Sequence, residues 1–131
     1  MLDILKYIYY ICKILHKMKD QIEFKEFIEI ESKLEIKVGK VISVEDVPKS
    51  SKLIKLEVDF GDEVRTCVTN IKSHLNMNQL DYPLIDISFL FVTNLKPVTM
   101  MGIESTVMIL PGEIESGNMI TVNSQSGTKL M

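Results

Sequence analysis

From Ile54 to Phe60 every second residue is apolar: Ile54, Leu56, Val58 and Phe60 alternate with Lys55, Glu57 and Asp59. A period of two places one set of side chains on a buried face and the other in water, which is the pattern of a β-strand. Gly61-Asp62 supplies a turn, and Glu63 to Asn70 returns as a second strand-like run, so the two segments read as a hairpin. An exposed strand edge must be paired or covered, and the rest of the chain is constrained to provide the partners.

Those partners lie on both sides. Upstream, Leu34, Ile36 and Val38 alternate with Glu35 and Lys37; Gly39 interrupts, where a bulge or bend is expected, and Lys40 to Val47 continues. Pro48 to Ser51 is a turn. Downstream, Ile71 to Pro83 breaks the strand rhythm, with Ser73 placed to cap a short helix through Leu80 and Pro83 to end it. Ile85 to Val92 is apolar on both phases, as for a strand covered on both sides. Glu104 to Leu110 is a further strand, and Gly117 to Val122 a last short one before a polar tail. The expected architecture is all-β: a five-stranded OB-fold barrel with a short helix between strands 3 and 4. Such barrels solve the edge problem by closure and bind oligonucleotides or oligosaccharides on one face.

The N-terminal segment is different. Ile4, Ile8, Ile11, Leu15 and Met18 form a stripe at helical spacing. A signal peptide does not fit, because Lys6 and Lys13 interrupt the apolar run and no small-residue cleavage site follows. The run is also too short and too charged for a membrane span. Three uses stay open: docking on its own domain, meeting a partner or second copy, or lying on a membrane surface. Ile22, Phe24, Phe27 and Ile30 then stand among acids, as an edge strand or, preferably, a helical turn leading into the barrel. The expected division is a helical extension over 1–32 and the barrel over 33–131.

Composition limits function. The formal charge is −3, so no global field draws the chain to nucleic acid. Residues 1–19 are basic, 20–32 acidic and 33–131 slightly acidic, so a nucleic-acid site has to be a local patch. The chain has no Ala and a single Arg, which we read as AT-rich coding bias, with Lys standing where other proteins use Arg. Cys12 and Cys67 do not suggest a disulfide framework and point to a reducing, cytoplasmic setting. With only His16 and His74 besides, there is no zinc spacing. No nucleophile–base order, P-loop or GxGxxG is present, so neither catalysis nor a cofactor is expected.

The residues also carry a family resemblance. Glu35-Ile36-Lys37-Val38-Gly39-Lys40-Val41, Val47 to Leu53 (Val-Pro-Lys-Ser-Ser-Lys-Leu), Thr69-Asn70, Asn94-Leu95-Lys96-Pro97 and Gly102 to Met108 occur in that order. Together they resemble the tRNA-binding OB domain appended to methionyl- and tyrosyl-tRNA synthetases and present in synthetase-associated cofactor and cytokine proteins. The similarity runs from about Phe24 to Leu110. There are departures: Val98 to Met101 carry no charge where the family usually has two or three basic residues, and Leu110 runs straight into Pro111-Gly112 where a further hairpin is usual.

The resemblance implies a non-catalytic module that recruits tRNA and supports aminoacylation, either free-standing or as part of a synthetase. Its partners would be tRNA and an aminoacyl-tRNA synthetase. The alternative is a protein-interaction or chaperone-like dimeric module with weak or no RNA binding. Candidate RNA contacts are Lys37, Lys52, Lys55 and Arg65, which alternation would point outward, the strand-end residues Asn70 and Asn94, and Lys96 with Ser105 around the Asn94–Ser105 knot. Met100 and Met101 read as packing or a contact patch.

Overall fold

The computed structural model describes residues 4, 8, 19–71, 84–113 and 118–131. It divides into two compact units, Met1–Ile30 and Glu31–Met131. The helices expected over 1–20 and 73–80 lie outside the described residues, apart from Ile4 and Ile8, which are helical and exposed, and Lys19 and Asp20, which are exposed and not helical.

Of the two forms that Ile22 to Ile30 admits, edge strand or helical turn, the chain takes the helical one, α1 (Phe24–Glu31). Phe24 and Phe27, three residues apart, meet on one face with ring centroids 6.4 Å apart. Glu26 in the first turn suits the positive end of the helix dipole. Among the described residues no helix is long and apolar enough to cross a membrane.

Among its described residues the second unit has seven strands: β1 (Ile36–Asp46), β2 (Ile54–Asp59), β3 (Val64–Thr69), β4 (Ser88–Val92), β5 (Val98–Met100), β6 (Ile103–Ser105) and β7 (Met108–Leu110). Five form an antiparallel sheet in the order β3-β2-β1-β4-β7, and β5 with β6 forms a separate hairpin. The alternation of β2 is realised in full: Ile54, Leu56 and Val58 are completely buried. They pair with Thr69, Cys67 and Arg65 of β3. The core they enter also contains Val41, Phe60, Phe89, Phe91, Val107 and Ile109. Phe60 and Phe91 meet edge to face at 5.5 Å, a favoured aromatic geometry.

Gly39 is not the bulge. The register shift falls between Val41 and Ser43, leaving Ile42 as the extra, exposed residue. Gly39 is required by packing instead. A Cβ there would lie 2.5 Å from Val58 Cγ1, 2.8 Å from Phe60 Cε1 and 2.9 Å from Phe91 Cδ2. The missing side chain lets the core aromatics reach the backbone of β1.

The sheet curls until its edge strands approach. Thr106, between β6 and β7, donates its N–H to the Thr66 carbonyl of β3 at 2.9 Å. The chain end then covers β1: Leu130 N donates to Ile36 O at 2.8 Å, Val38 N to Thr128 O at 2.8 Å and Gly127 N to Val38 O at 2.8 Å. The last strand expected at Gly117–Val122 is therefore displaced. Residues 118–122 are irregular, and the segment read as a polar tail pairs with β1.

Candidate nucleic-acid interface

Alternation was expected to point Lys37, Lys52, Lys55 and Arg65 outward, and the register corrects two of them. Arg65 pairs with Val58 and Lys37 with Phe91, both fully buried, so Arg65 and Lys37 lie on the core face of the sheet near its end. Both side chains remain partly accessible, at 22% and 27%.

Arg65 is tied down at every nitrogen. Nη1 donates to the Thr93 carbonyl at 2.9 Å, Nη2 to the Thr106 carbonyl at 2.7 Å and Nε to the Thr106 hydroxyl at 3.2 Å. Glu63 stands 3.7 Å from Nη1. The planar guanidinium fits this job because its donors are fixed in a fork.

The same end of the sheet collects further candidates. Asn94 continues the β1–β4 pairing with its amide: Oδ1 accepts from Glu35 N at 3.0 Å, and Nδ2 donates to the Lys33 carbonyl at 2.6 Å. Ser105 is buried; its hydroxyl accepts from Val68 N at 3.0 Å and donates to the Val107 carbonyl at 3.3 Å. Both were read as RNA contacts, and the structure commits their polar atoms to the frame. Glu35, whose N–H meets Asn94, turns its carboxylate to Thr93 and two lysines. It accepts from the Thr93 hydroxyl at 2.6 Å, with Lys37 at 3.6 Å and Lys129 at 3.8 Å. The Thr93 hydrogen bond, with Lys37 and Lys129 nearby, holds its carboxyl below the ordinary value, against a smaller effect of burial. Sequence reading missed Glu35, Thr93 and Thr106, because what marks them is a pairing partner far along the chain.

Lys55 does point outward, but it lies between Glu45 at 4.0 Å and Glu57 at 3.5 Å, which neutralise much of its charge. Lys52, in the β1–β2 turn, and Lys96, beyond Asn94, are exposed, and neither forms an ion pair among the described residues. Asn70 is exposed just past β3, whose last residue pairs with Ile54, so it lies at the β2 end that follows Lys52. The knot itself is the β5–β6 hairpin, with Met101 at φ 50° and Gly102 at φ 81° in its two-residue turn. It exposes two apolar side chains, Val98 at 57% in β5 and Met101 at 55% in the turn. Cys67 is buried in the core, and loss of hydration pushes its thiol up to about 12, so it stays protonated and inert at neutral pH.

The sequence profile of the family described as "Putative tRNA binding domain" matches residues 36–129. A methionine--tRNA ligase of Methanocaldococcus jannaschii is 38% identical over 102 residues, covering 75% of this chain and 15% of that protein. The corresponding Deinococcus radiodurans ligase is 37% identical over 103 residues, covering 76% of this chain and 14% of the ligase. The chain thus spans about one seventh of the length of these relatives. Among solved structures, a MetRS related protein from Pyrococcus horikoshii superposes with a TM-score of 0.69 at 34% identity, over 86% of this chain and all of that one. The chaperone CsaA from Bacillus anthracis shares the fold, with a TM-score of 0.61 at 24% identity over 86% of this chain and all of that one.

Proposed function

The chain belongs to the tRNA-binding domain family, and from that membership we propose that it is a non-catalytic module that holds tRNA for an aminoacyl-tRNA synthetase in the cytoplasm. The observation that carries this reading is the family match over residues 36–129, which spans β1 through the paired chain end. We read the curled sheet as an OB barrel, with residues 70–87 connecting β3 to β4, and the chain as an extension over 1–32 followed by the binding domain over 33–131.

The candidate residues divide by role. Lys52 and Lys96, exposed and without acidic partners among the described residues, are the primary phosphate contacts. Lys37 adds charge at the sheet end, and Lys55 contributes less because Glu45 and Glu57 flank it. Asn70 is a candidate base contact. Arg65, Asn94 and Ser105 hold the frame that positions them. Affinity that rests on phosphate contacts of this kind falls with salt. Gel shift of the purified protein with total tRNA at low salt tests the reading: a saturable shifted band is expected, and no shift at any protein concentration overturns it.

One observation favours a second reading, a protein-interaction or chaperone-like module that works as a dimer. The β5–β6 hairpin and its approach expose Leu95, Val98 and Met101, at 47%, 57% and 55%. Light scattering of the wild type and of Val98→Lys/Met101→Lys separates the two. A dimer that dissociates in the variant favours this reading, and a monomer throughout counts against it.

A further inference from the structure

A cleft of about 430 Å³ opens beside the β1–β4 pair, lined by none of the RNA contacts assigned above. Lys40, Asp86 and Ser88 form one side, and the irregular segment 121–126 forms the other. We propose that this cleft receives one unpaired nucleotide of the bound RNA and that Asp86 selects its base. The proposal rests on the tRNA-binding reading and adds to it a subsite with a stated preference.

The size is suitable, since small-ligand sites typically span about 300–1,000 Å³. The lining is dominated by neutral donors and acceptors, among them Ser88, Thr121, Asn123 and Gln125, which match a ribose 2′-hydroxyl and the edge of a base. Among the described residues no aromatic lines the cleft, so recognition proceeds by hydrogen bonding, with a small apolar contribution from Val122 and from Ile87, which also packs against the core.

The two charges divide the work. Lys40 Nζ and Asp86 Oδ1 are 4.0 Å apart, with side chains 43% and 78% exposed. An ion pair that long and that wet holds its members weakly, so a ligand exchanges with it at small cost. Lys40 is a compact cation suited to the nucleotide's phosphate. Asp86 accepts hydrogen bonds and cannot donate them, so it repels phosphate and favours a base bearing an exocyclic amino group. Cytosine, adenine and guanine carry one. Uracil carries a single imino N–H between two carbonyl oxygens, and those oxygens repel a carboxylate.

The walls are held in place. Asp86 sits in the left-handed region at φ 68°, its N–H donating to Val41 O at 2.8 Å, and Ile87 N closes the turn onto Leu84 O at 3.2 Å. Across the cleft, Val122 N donates to Ser88 O at 3.0 Å, and the Thr128 hydroxyl donates to Gln125 O at 2.6 Å.

The test is a backbone-amide NMR titration of the full chain with short oligocytidylate and oligouridylate. Wild type is compared with Asp86→Asn, whose fold is checked by its own amide spectrum, and total tRNA binding is measured in parallel. The expected result is shifts at residues 86–88 and 121–126 with oligocytidylate, a preference over oligouridylate of about five-fold or more, and loss of most of that preference in Asp86→Asn. If tRNA binds while the cleft amides stay still, or if Asp86→Asn keeps the preference, the subsite is wrong and the tRNA reading stands. If neither the oligonucleotides nor tRNA bind at low salt, the tRNA reading itself fails and takes the subsite with it.

Discussion

Arg65 and Thr106 fasten the two edges of the curled sheet: Nη2 donates to the Thr106 carbonyl at 2.7 Å and Nε to its hydroxyl at 3.2 Å. The remaining nitrogen, Nη1, reaches the Thr93 carbonyl at 2.9 Å, so one side chain joins β3, the end of β4 and the approach to β7. Hydrogen bonds to a charged group contribute more than neutral ones, and truncation leaves the carbonyls without their donor. Arg65→Ala is expected to lower stability by about 2–3 kcal/mol in urea denaturation. Arg65→Lys recovers only part of the loss, because a single ammonium cannot span the fork.

Ser105 provides a second check on the same seam. Its buried hydroxyl is the acceptor for Val68 N, so Ser105→Ala leaves a buried N–H without a partner. The expected cost is about 1–3 kcal/mol. tRNA affinity of the folded variant should stay close to wild type, since the hydroxyl is spent inside the sheet.

Gly39→Ala tests the packing account of the glycine in β1. The added methyl would meet Val58, Phe60 and Phe91 at 2.5–2.9 Å, and the aromatics would have to move. A loss of about 1–3 kcal/mol is expected, together with shifted aromatic-ring resonances for Phe60 and Phe91. If Gly39 served only a bend, those rings would be unaffected.

Met101 has φ 50° in a two-residue hairpin turn whose second residue, Gly102, has φ 81°. Two positive φ angles in succession are met most easily by Asn-Gly, and an unbranched apolar side chain gains nothing from the left-handed region. Met101→Asn is expected to raise stability by about 0.5–1 kcal/mol in thermal denaturation.

Glu35 gives a pH signature. Its carboxyl is held below the ordinary value of 4.5, chiefly by the Thr93 hydroxyl. A group whose folded pKa is depressed contributes stability above its unfolded value and loses that contribution as pH falls through the folded one. The stability difference between wild type and Glu35→Gln should therefore be constant near neutral pH and shrink on acidification below 4.5. Denaturation midpoints measured across that range check it.

The β2–β3 hairpin was legible because both halves of its pattern are local: alternation along Ile54–Phe60 and a turn at Gly61-Asp62. The helical reading of Phe24–Glu31 rested on equally local spacing. The role of Gly39 was not legible, because its reason is Phe60 and Phe91, which arrive from distant strands. Arg65 was read as outward although it alternates in phase with Cys67, a core residue; following that phase would have turned it inward. Asn94 and Ser105 stand at motif positions, but nothing nearby in sequence reveals Lys33, Glu35 or Val68 as their partners. The pairing of the tail is not legible because polar residues pairing through backbone alone leave no apolar pattern.

The proposed role of exposed lysines in drawing tRNA to this domain is checked by the salt dependence of filter binding to total tRNA, for the wild type and for Lys52→Ala/Lys96→Ala. Each phosphate contact contributes about 0.7–0.9 to the slope of log affinity against log salt. Measurable wild-type binding at low salt is expected, with a negative linear slope that is shallower by about 1.4–1.8 in the double variant. An unchanged slope in that variant, or no binding by the wild type even at low salt, would contradict it.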